Sequence, residues 1–240
     1  MNEFGKKFRS ICENNKHLLL FLYFPIYMLW FAYVEKTVTT HFHVIHMKID
    51  DYIPFCEVFI VPYLIWFAYV AVVYVYMAIK DKTDFKKMCI VLYTGMTIFL
   101  IISTVYPNGH FLRPTSFERD NIFTQLVAKL YQTDTATNLF PSIHVYNSVA
   151  VHFAIIYNEK LKKNKWICNG SAILMGSIVL STVFLKQHSV FDVITAIPLL
   201  FIMQQLVYVR FWEKLPAKNT EKIKEKAKTS AKAKESLPQM

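Results

Sequence analysis

The amino-acid sequence predicts an all-α, polytopic membrane protein: a six-transmembrane-helix bundle with N- and C-termini cytoplasmic. Three observations carry that reading. The 240 residues are 54% hydrophobic, and the apolar residues come in long blocks with the charges between them. Six of these blocks approach or reach the roughly 20 residues needed to cross a hydrocarbon core about 30 Å thick. The connecting segments alternate between rich and poor in Lys and Arg. A soluble helical protein fits poorly, because buried soluble helices rarely repeat this length and purity.

The blocks, in order, are residues 18–34, 58–79, 88–106, 141–157, 166–185 and 190–209. The second and third contain no Asp, Glu, Lys or Arg. The first and fourth are short, and the sixth carries Asp192 near its start. A basic stretch precedes the first block, as in a secretory leader. Glu35 and Lys36, not small residues, follow Val34, and further spans come later, so the block is read as a retained helix. The many Tyr and Trp of the first three blocks suit interfacial belts and lipid contact.

Charge gives the bundle a direction. The N-terminal segment carries Lys6, Lys7, Arg9 and Lys16. The loop after the second block carries Lys80, Lys82, Lys86 and Lys87, and the loop after the fourth carries Lys160, Lys162, Lys163 and Lys165. From Arg210 onward there are nine more. That places 21 of the 27 Lys and Arg on one side, against Lys36, Lys48, Arg113, Arg119, Lys129 and Lys186 on the other. Basic residues near helix ends concentrate on the cytoplasmic face. Both termini are therefore expected inside and the long segments 35–57 and 107–140 outside. The organisation is a cytoplasmic N-terminus (1–17), a membrane domain (18–210) and a basic cytoplasmic tail (211–240). The tail suits anionic lipid headgroups. It lacks the interleaved aromatics of a nucleic-acid binder, so no nucleic-acid partner is expected. Of Cys12, Cys56, Cys89 and Cys168, only Cys56 lies near the outer face, so no disulfide is expected and no zinc spacing is present.

The polar residues at the outer helix ends carry the chemistry. Pro141, Ser142, Ile143 and His144 open the fourth block, with Thr137 and Asn138 before them. Proline suits a first helical turn, and Thr and Asn suit capping. A helix N-terminus attracts anions such as phosphate. Ser142 adds a hydroxyl, and His144 an acid or base that titrates near neutral pH. In the fifth hairpin, His188 and Asp192 are four residues apart and share a helix face. A carboxylate there can hold one imidazole nitrogen and leave the other free as a nucleophile or base; alternatively Asp192 caps backbone or pairs with Lys186. Arg113 of Leu112-Arg113-Pro114 offers a forked phosphate clamp, though a lone loop arginine is common.

Together these motifs resemble the type-2 phosphatidic acid phosphatase superfamily, over roughly residues 88–210. That family carries K-x6-R-P, P-S-G-H and S-R-x5-H-x3-D. Here Arg113-Pro114 matches the end of the first motif, Pro141-Ser142-Ile143-His144 the second, and Ser181-Thr182, His188 and Asp192 the third in full spacing. Tyr106 stands at the lysine of the first motif, Ile143 at the glycine of the second and Thr182 at the arginine of the third. The segments 138–144 and 186–188 are similar to a bacterial branch of the superfamily, itself like inositol phosphorylceramide synthase-type phosphotransferases.

The resemblance implies a membrane lipid phosphatase acting on a phosphomonoester or diphosphate at the extracytoplasmic face of the cell membrane. His188 would form a phosphohistidine, Asp192 would orient it, and His144 would protonate the leaving oxygen and then activate the acceptor. Arg113, Ser142 and Lys186 would hold phosphoryl oxygens, with no metal or cofactor needed. The acceptor would be water, or an alcohol in a phosphotransferase. A lipid-binding membrane protein without catalysis is the alternative from another class. The sequence does not fix the oligomeric state.

Other polar residues have plainer readings. His41, His43 and His46, followed by Asp50 and Asp51, read as an interfacial segment that could border a substrate entrance, not as a metal site. His110 reads as a loop residue, and His152 as a helix-packing residue two turns below His144.

Overall fold

The computed structural model describes residues 15–38 and 41–211. Lys6, Lys7, Arg9, Cys12 and the tail 212–240 lie outside the described residues. Seven α-helices are present among them: α1 Tyr23–Thr37, α2 Ile60–Lys80, α3 Lys82–Val105, α4 Ile122–Thr133, α5 Ile143–Tyr157, α6 Lys165–Phe184 and α7 Val190–Gln204. A 3-10 segment, Lys16–Leu22, leads into α1, and α7 continues as a π-helical segment, Gln205–Phe211. Two short strands, β1 (His43–Val44) and β2 (Asn108–Gly109), pair in parallel and tie the two long loops together.

Five helical stretches are long and apolar enough to cross a membrane: Lys16–Thr37, Glu57–Lys80, Lys82–Val105, Lys165–Phe184 and Val190–Tyr208. Large apolar side chains such as Leu29, Ile79 and Ile173 stand exposed along them. A soluble protein does not leave so much apolar surface bare. The fold is thus a mostly helical bundle of the kind that sits in a bilayer.

α5 differs from the other five apolar helices. Its 15 residues extend about 22 Å, short of a hydrocarbon core. It occupies the centre, packed against α2, α3, α6 and α7. Val145, Tyr146, Ala150, Val151 and Ala154 are buried. A helix walled by protein need not match the thickness of the lipid. It fits closely against α3, where Gly95 makes room for the Tyr146 ring. A Cβ at Gly95 would lie 2.1 Å from that ring. The Tyr146 hydroxyl then donates to the Val91 carbonyl at 2.8 Å.

Helix starts follow local chemistry. Asp81 accepts from the N–H groups of Thr83 and Asp84, Asn121 from Phe123 and Thr124, and Asn164 from Trp166 and Ile167. Asp81 explains one difference from the sequence reading. The basic stretch after the second apolar block is not a loop: it forms the first turns of α3, which therefore starts at Lys82 and not at 88. The other difference is α4, an amphipathic helix inside the long segment 107–140. Val127 is fully buried there, and Leu130 and Tyr131 pack with it against Ile60, Tyr63 and Leu185.

Candidate active site

Two helix N-termini meet at one end of the bundle. Ser142 caps α5, its Oγ accepting from Val145 N–H at 3.4 Å. Ser189 caps α7, its Oγ accepting from Phe191 N–H at 3.1 Å. Asp192 answers with a carboxylate oxygen that accepts from Ser189 N–H at 3.0 Å. The two ends are bolted together where Ser142 N–H donates to the Asp192 carbonyl at 3.3 Å. This bolt places His144, in the first turn of α5, beside His188, just before α7.

The result is a chain of three groups. Asp192 Oδ2 lies 3.3 Å from His188 Nδ1. His188 Nε2 lies 3.4 Å from His144 Nδ1. With Nδ1–H donating to the carboxylate, Nε2 of His188 is the acceptor nitrogen and faces His144 Nδ1. Asp192 is fully buried and its Oδ1 has no partner. An unpaired buried carboxylate oxygen is costly unless charge stabilisation at the site compensates. The His144 ring is held between the rings of Trp66, 4.4 Å away, and Tyr63, 4.7 Å away. The capping and orienting readings of Asp192 are therefore not alternatives, since Oδ2 meets both Ser189 N–H and His188. It has no contact with Lys186.

The two predicted cations are placed differently. Arg113 reaches Gln187, the neighbour of His188 in sequence; its two terminal nitrogens are engaged and its Nε has no partner. Its guanidinium donates to the carbonyls of Asp134 at 2.7 Å and Thr135 at 2.9 Å, and to Gln187 Oε1 at 2.5 Å. It also stacks over the Tyr131 ring at 4.5 Å. Lys186 adopts a left-handed backbone, φ 51°, which turns its side chain away from His188. Its ammonium donates to the carbonyls of Asp50 at 2.7 Å and Ile53 at 2.5 Å. Neither is aimed at the histidines as a phosphate clamp. Ser142 is fully buried under its own helix cap, so it acts here as a capping residue and bolt.

Several residues support this arrangement without having announced themselves in the sequence. Asp50 is buried and accepts from the Ser189 hydroxyl at 2.6 Å and from Val190 N–H at 2.8 Å. It thus caps α7 from a loop about 140 positions away. His110 Nδ1 accepts from Leu112 N–H at 3.2 Å, which leaves Nε2–H to donate to the Gln187 carbonyl at 3.0 Å. Burial pushes the His110 pKa down to about 4, so this staple is neutral. The nearness of His110 to Arg113 in sequence was its only signal. Asp50 had none beyond its place in the histidine-rich segment.

That segment makes no converging donor set. His43 stacks on Tyr106 at 4.1 Å, and His46 pairs with Asp51 at 2.7 Å. Among the described residues no group of three or more His, Cys, Asp or Glu could hold a metal ion. His152 bonds the Ser171 hydroxyl at 3.0 Å, which in turn meets Tyr69 at 2.6 Å, between α5, α6 and α2. Thr182, at the third-motif arginine position, turns its hydroxyl onto the Val179 carbonyl.

The histidine pair opens onto a cavity of about 1020 Å³ between α1, α2 and α3. Comparison of the chain with protein-family models, with curated proteins and with solved structures finds no match.

Proposed function

We propose that the protein is a membrane lipid phosphatase that cleaves a phosphomonoester or diphosphate through a phosphohistidine on His188. One observation carries the proposal: the Asp192–His188–His144 chain, built on two helix N-termini, with both histidines in the wall of a cavity of about 1020 Å³. His188 Nε2 attacks phosphorus, and the bond from phosphorus to the lipid oxygen breaks. A protonated His144 gives its proton to that leaving oxygen. Neutral His144 then takes a proton from water as its oxygen attacks phosphorus, and the His188–phosphorus bond breaks to release phosphate. The two rings touch before substrate binds and must part to admit a phosphoryl group. Asp192 stabilises the charge that develops on His188, as a buried carboxylate does in other triads. An alcohol in place of water turns the same steps into phosphotransfer.

The topology that supports this function is six spanning helices, with α5 as the short central one, both termini cytoplasmic, and the site at the outer face of the cell membrane. The charge split between connecting segments favours that orientation. A second reading, a lipid-binding protein without turnover, is favoured by one feature: Arg113 and Lys186 are both committed to carbonyls.

The deciding experiment supplies the purified full chain with radiolabelled lipid phosphates and quenches in base. The wild-type protein is expected to release phosphate and to carry an alkali-stable, acid-labile label, and His188→Ala to do neither. Phosphate release unchanged in His188→Ala would defeat the catalytic reading. Added alcohol separates transfer from hydrolysis. For orientation, single cysteines replace Ser116 and Lys163 in a cysteine-free background. An impermeant thiol reagent on intact cells should label the first alone; labelling of the second alone inverts the topology.

A further inference from the structure

The cavity beside the histidines has an unexpected charge. Its charged lining residues are Glu35 and Asp134, and no Lys or Arg lines it among the described residues. Glu35 lies in the last turn of α1 and is held by the Asn138 amide at 2.9 Å and the Thr135 hydroxyl at 2.6 Å. Asp134 follows α4 and accepts from the Tyr63 hydroxyl at 3.2 Å. That same Tyr63 ring lies against His144. Arg113 meets the backbone carbonyl of Asp134, and its charge partly offsets those of Asp134 and Glu35 without an ion pair to either.

A second observation is independent of the carboxylates. Asn138 and Asn147 both line the cavity and are 4% and 3% exposed. The Oδ1 atom of each has no partner. At Asn138 the assignment of oxygen and nitrogen is fixed by neighbours, since its amide nitrogen faces the Glu35 carboxylate. Buried acceptors without donors are rare in folded proteins, and each calls for an explanation. Two acceptors and two carboxylates around one space await a group that brings donors and positive charge.

The remainder of the cavity is apolar. Phe24, Met28, Phe67 and Val75 line it and are exposed on the side facing the surroundings of the bundle. The space is therefore open sideways between α1 and α2, where a hydrocarbon chain could pass from the bilayer. Its size reaches the upper end of ordinary small-molecule sites.

We infer that Glu35 and Asp134 are specificity residues that bind an ammonium group, so that the substrate is a long-chain lipid phosphate carrying an amine near its phosphate. The inference rests on the phosphatase reading for the phosphate and on the cavity for the amine. A phosphomonoester brings close to two negative charges. Placed beside two carboxylates that the single Arg113 only partly offsets it is repelled, because like charges in a poorly solvated site disfavour each other. A substrate that carries its own cation removes that conflict. Its phosphate faces the histidines and helix N-termini, its ammonium faces Glu35, Asp134 and the two amide oxygens, and its chain runs down the cavity.

The test reads binding apart from turnover, by using the His188→Ala full-length protein in detergent. Three probes of equal chain length are compared: a 2-amino-alkyl phosphate, its N-acetyl derivative and the plain alkyl phosphate. The amine is expected to bind at least about tenfold more tightly than either of the others. Glu35→Gln and Asp134→Asn keep their hydrogen-bond acceptors, and each is expected to reduce that preference, the pair together to within about twofold. Melting temperature and retention of plain alkyl phosphate binding exclude misfolding as the cause. Equal binding of the amine and the plain phosphate overturns the inference. Equal binding of the N-acetyl probe overturns the ammonium assignment. Failure of the phosphatase reading looks different: the amine preference persists while wild-type protein releases phosphate from no lipid.

Discussion

His188 and Lys186 are two residues apart, yet they belong to different machines. His188 continues into α7 and faces His144. Lys186 sits at a left-handed turn and reaches back to the loop that carries Asp50. The same contrast separates His144 from Arg113: the histidine stands in the cavity wall, whereas the arginine is closed on carbonyls. The histidine–carboxylate half of the site is therefore open to a ligand, and the cationic half is used as mortar. Cations that resemble a phosphate clamp in sequence hold the long loops in register with the helix ends. Buried carbonyls have the same need for donors as a phosphate oxygen has, so the two roles are indistinguishable until the fold is known.

If the open half is the catalytic half, the largest effect belongs to Asp192. Asp192→Asn preserves size and can still accept from Ser189 N–H, but it removes the charge next to His188. Phosphate release is expected to fall on the order of 10³-fold or more, in line with loss of the orienting carboxylate in other triads. Melting temperature should change little by comparison. A fall of less than about tenfold would reduce Asp192 to a cap and remove the basis for separating the two halves.

If the cationic half is structural, its variants should fail in stability before they fail in affinity. Arg113→Met leaves the carbonyls of Asp134 and Thr135 and the amide oxygen of Gln187 without their donor. Unsatisfied buried acceptors cost about 1–3 kcal/mol each, less where relaxation brings other donors. A loss of about 3–5 kcal/mol is expected from the three acceptors together, with KM within a few-fold of wild type in the protein that stays folded. Lys186→Met should cost less, about 1–2 kcal/mol, because it leaves only two carbonyls. Thermal melts in detergent, paired with KM, decide this. A KM raised on the order of 100-fold with unchanged melting would make either residue a phosphate contact after all.

What was legible in the sequence follows from range. The apolar blocks are local patterns, and each block appears as a helix. The four-residue spacing of His188 and Asp192 is also local, and the two meet. The meeting of His144 with His188 follows from their placement at the same end of the bundle, which the alternation of apolar blocks supplies. The direction of Lys186 depends on one backbone dihedral, and that of Arg113 on α4. The helix α4 had a readable signal in Asn121 as a cap and in apolar residues at 122, 126, 127, 130 and 131. Its short length inside a long polar segment made it read as loop. The acidic cavity could not be read at all, because Glu35 and Asp134 are about 100 positions apart and each looks like an ordinary loop charge.

The last effect concerns the staple between the two halves, and it shows only in acid. His110 is held neutral, with its pKa pushed from 6.5 to about 4 by burial. In the unfolded chain the imidazole takes a proton as pH falls below about 6.5, whereas the folded protein resists until about 4. The unfolded state then binds more protons than the folded state, so stability declines as pH falls through that window and is complete above it. A shift of this size corresponds to about 3 kcal/mol, lost progressively between pH 6.5 and 4. His110→Gln can still donate to the Gln187 carbonyl and has no proton to gain. Melts at pH 7 and pH 5 should therefore show a smaller acid loss in the variant than in the wild type. Equal slopes would mean that the loop between β2 and Arg113 opens to water at low pH, and that Arg113 alone holds it to the His188 hairpin.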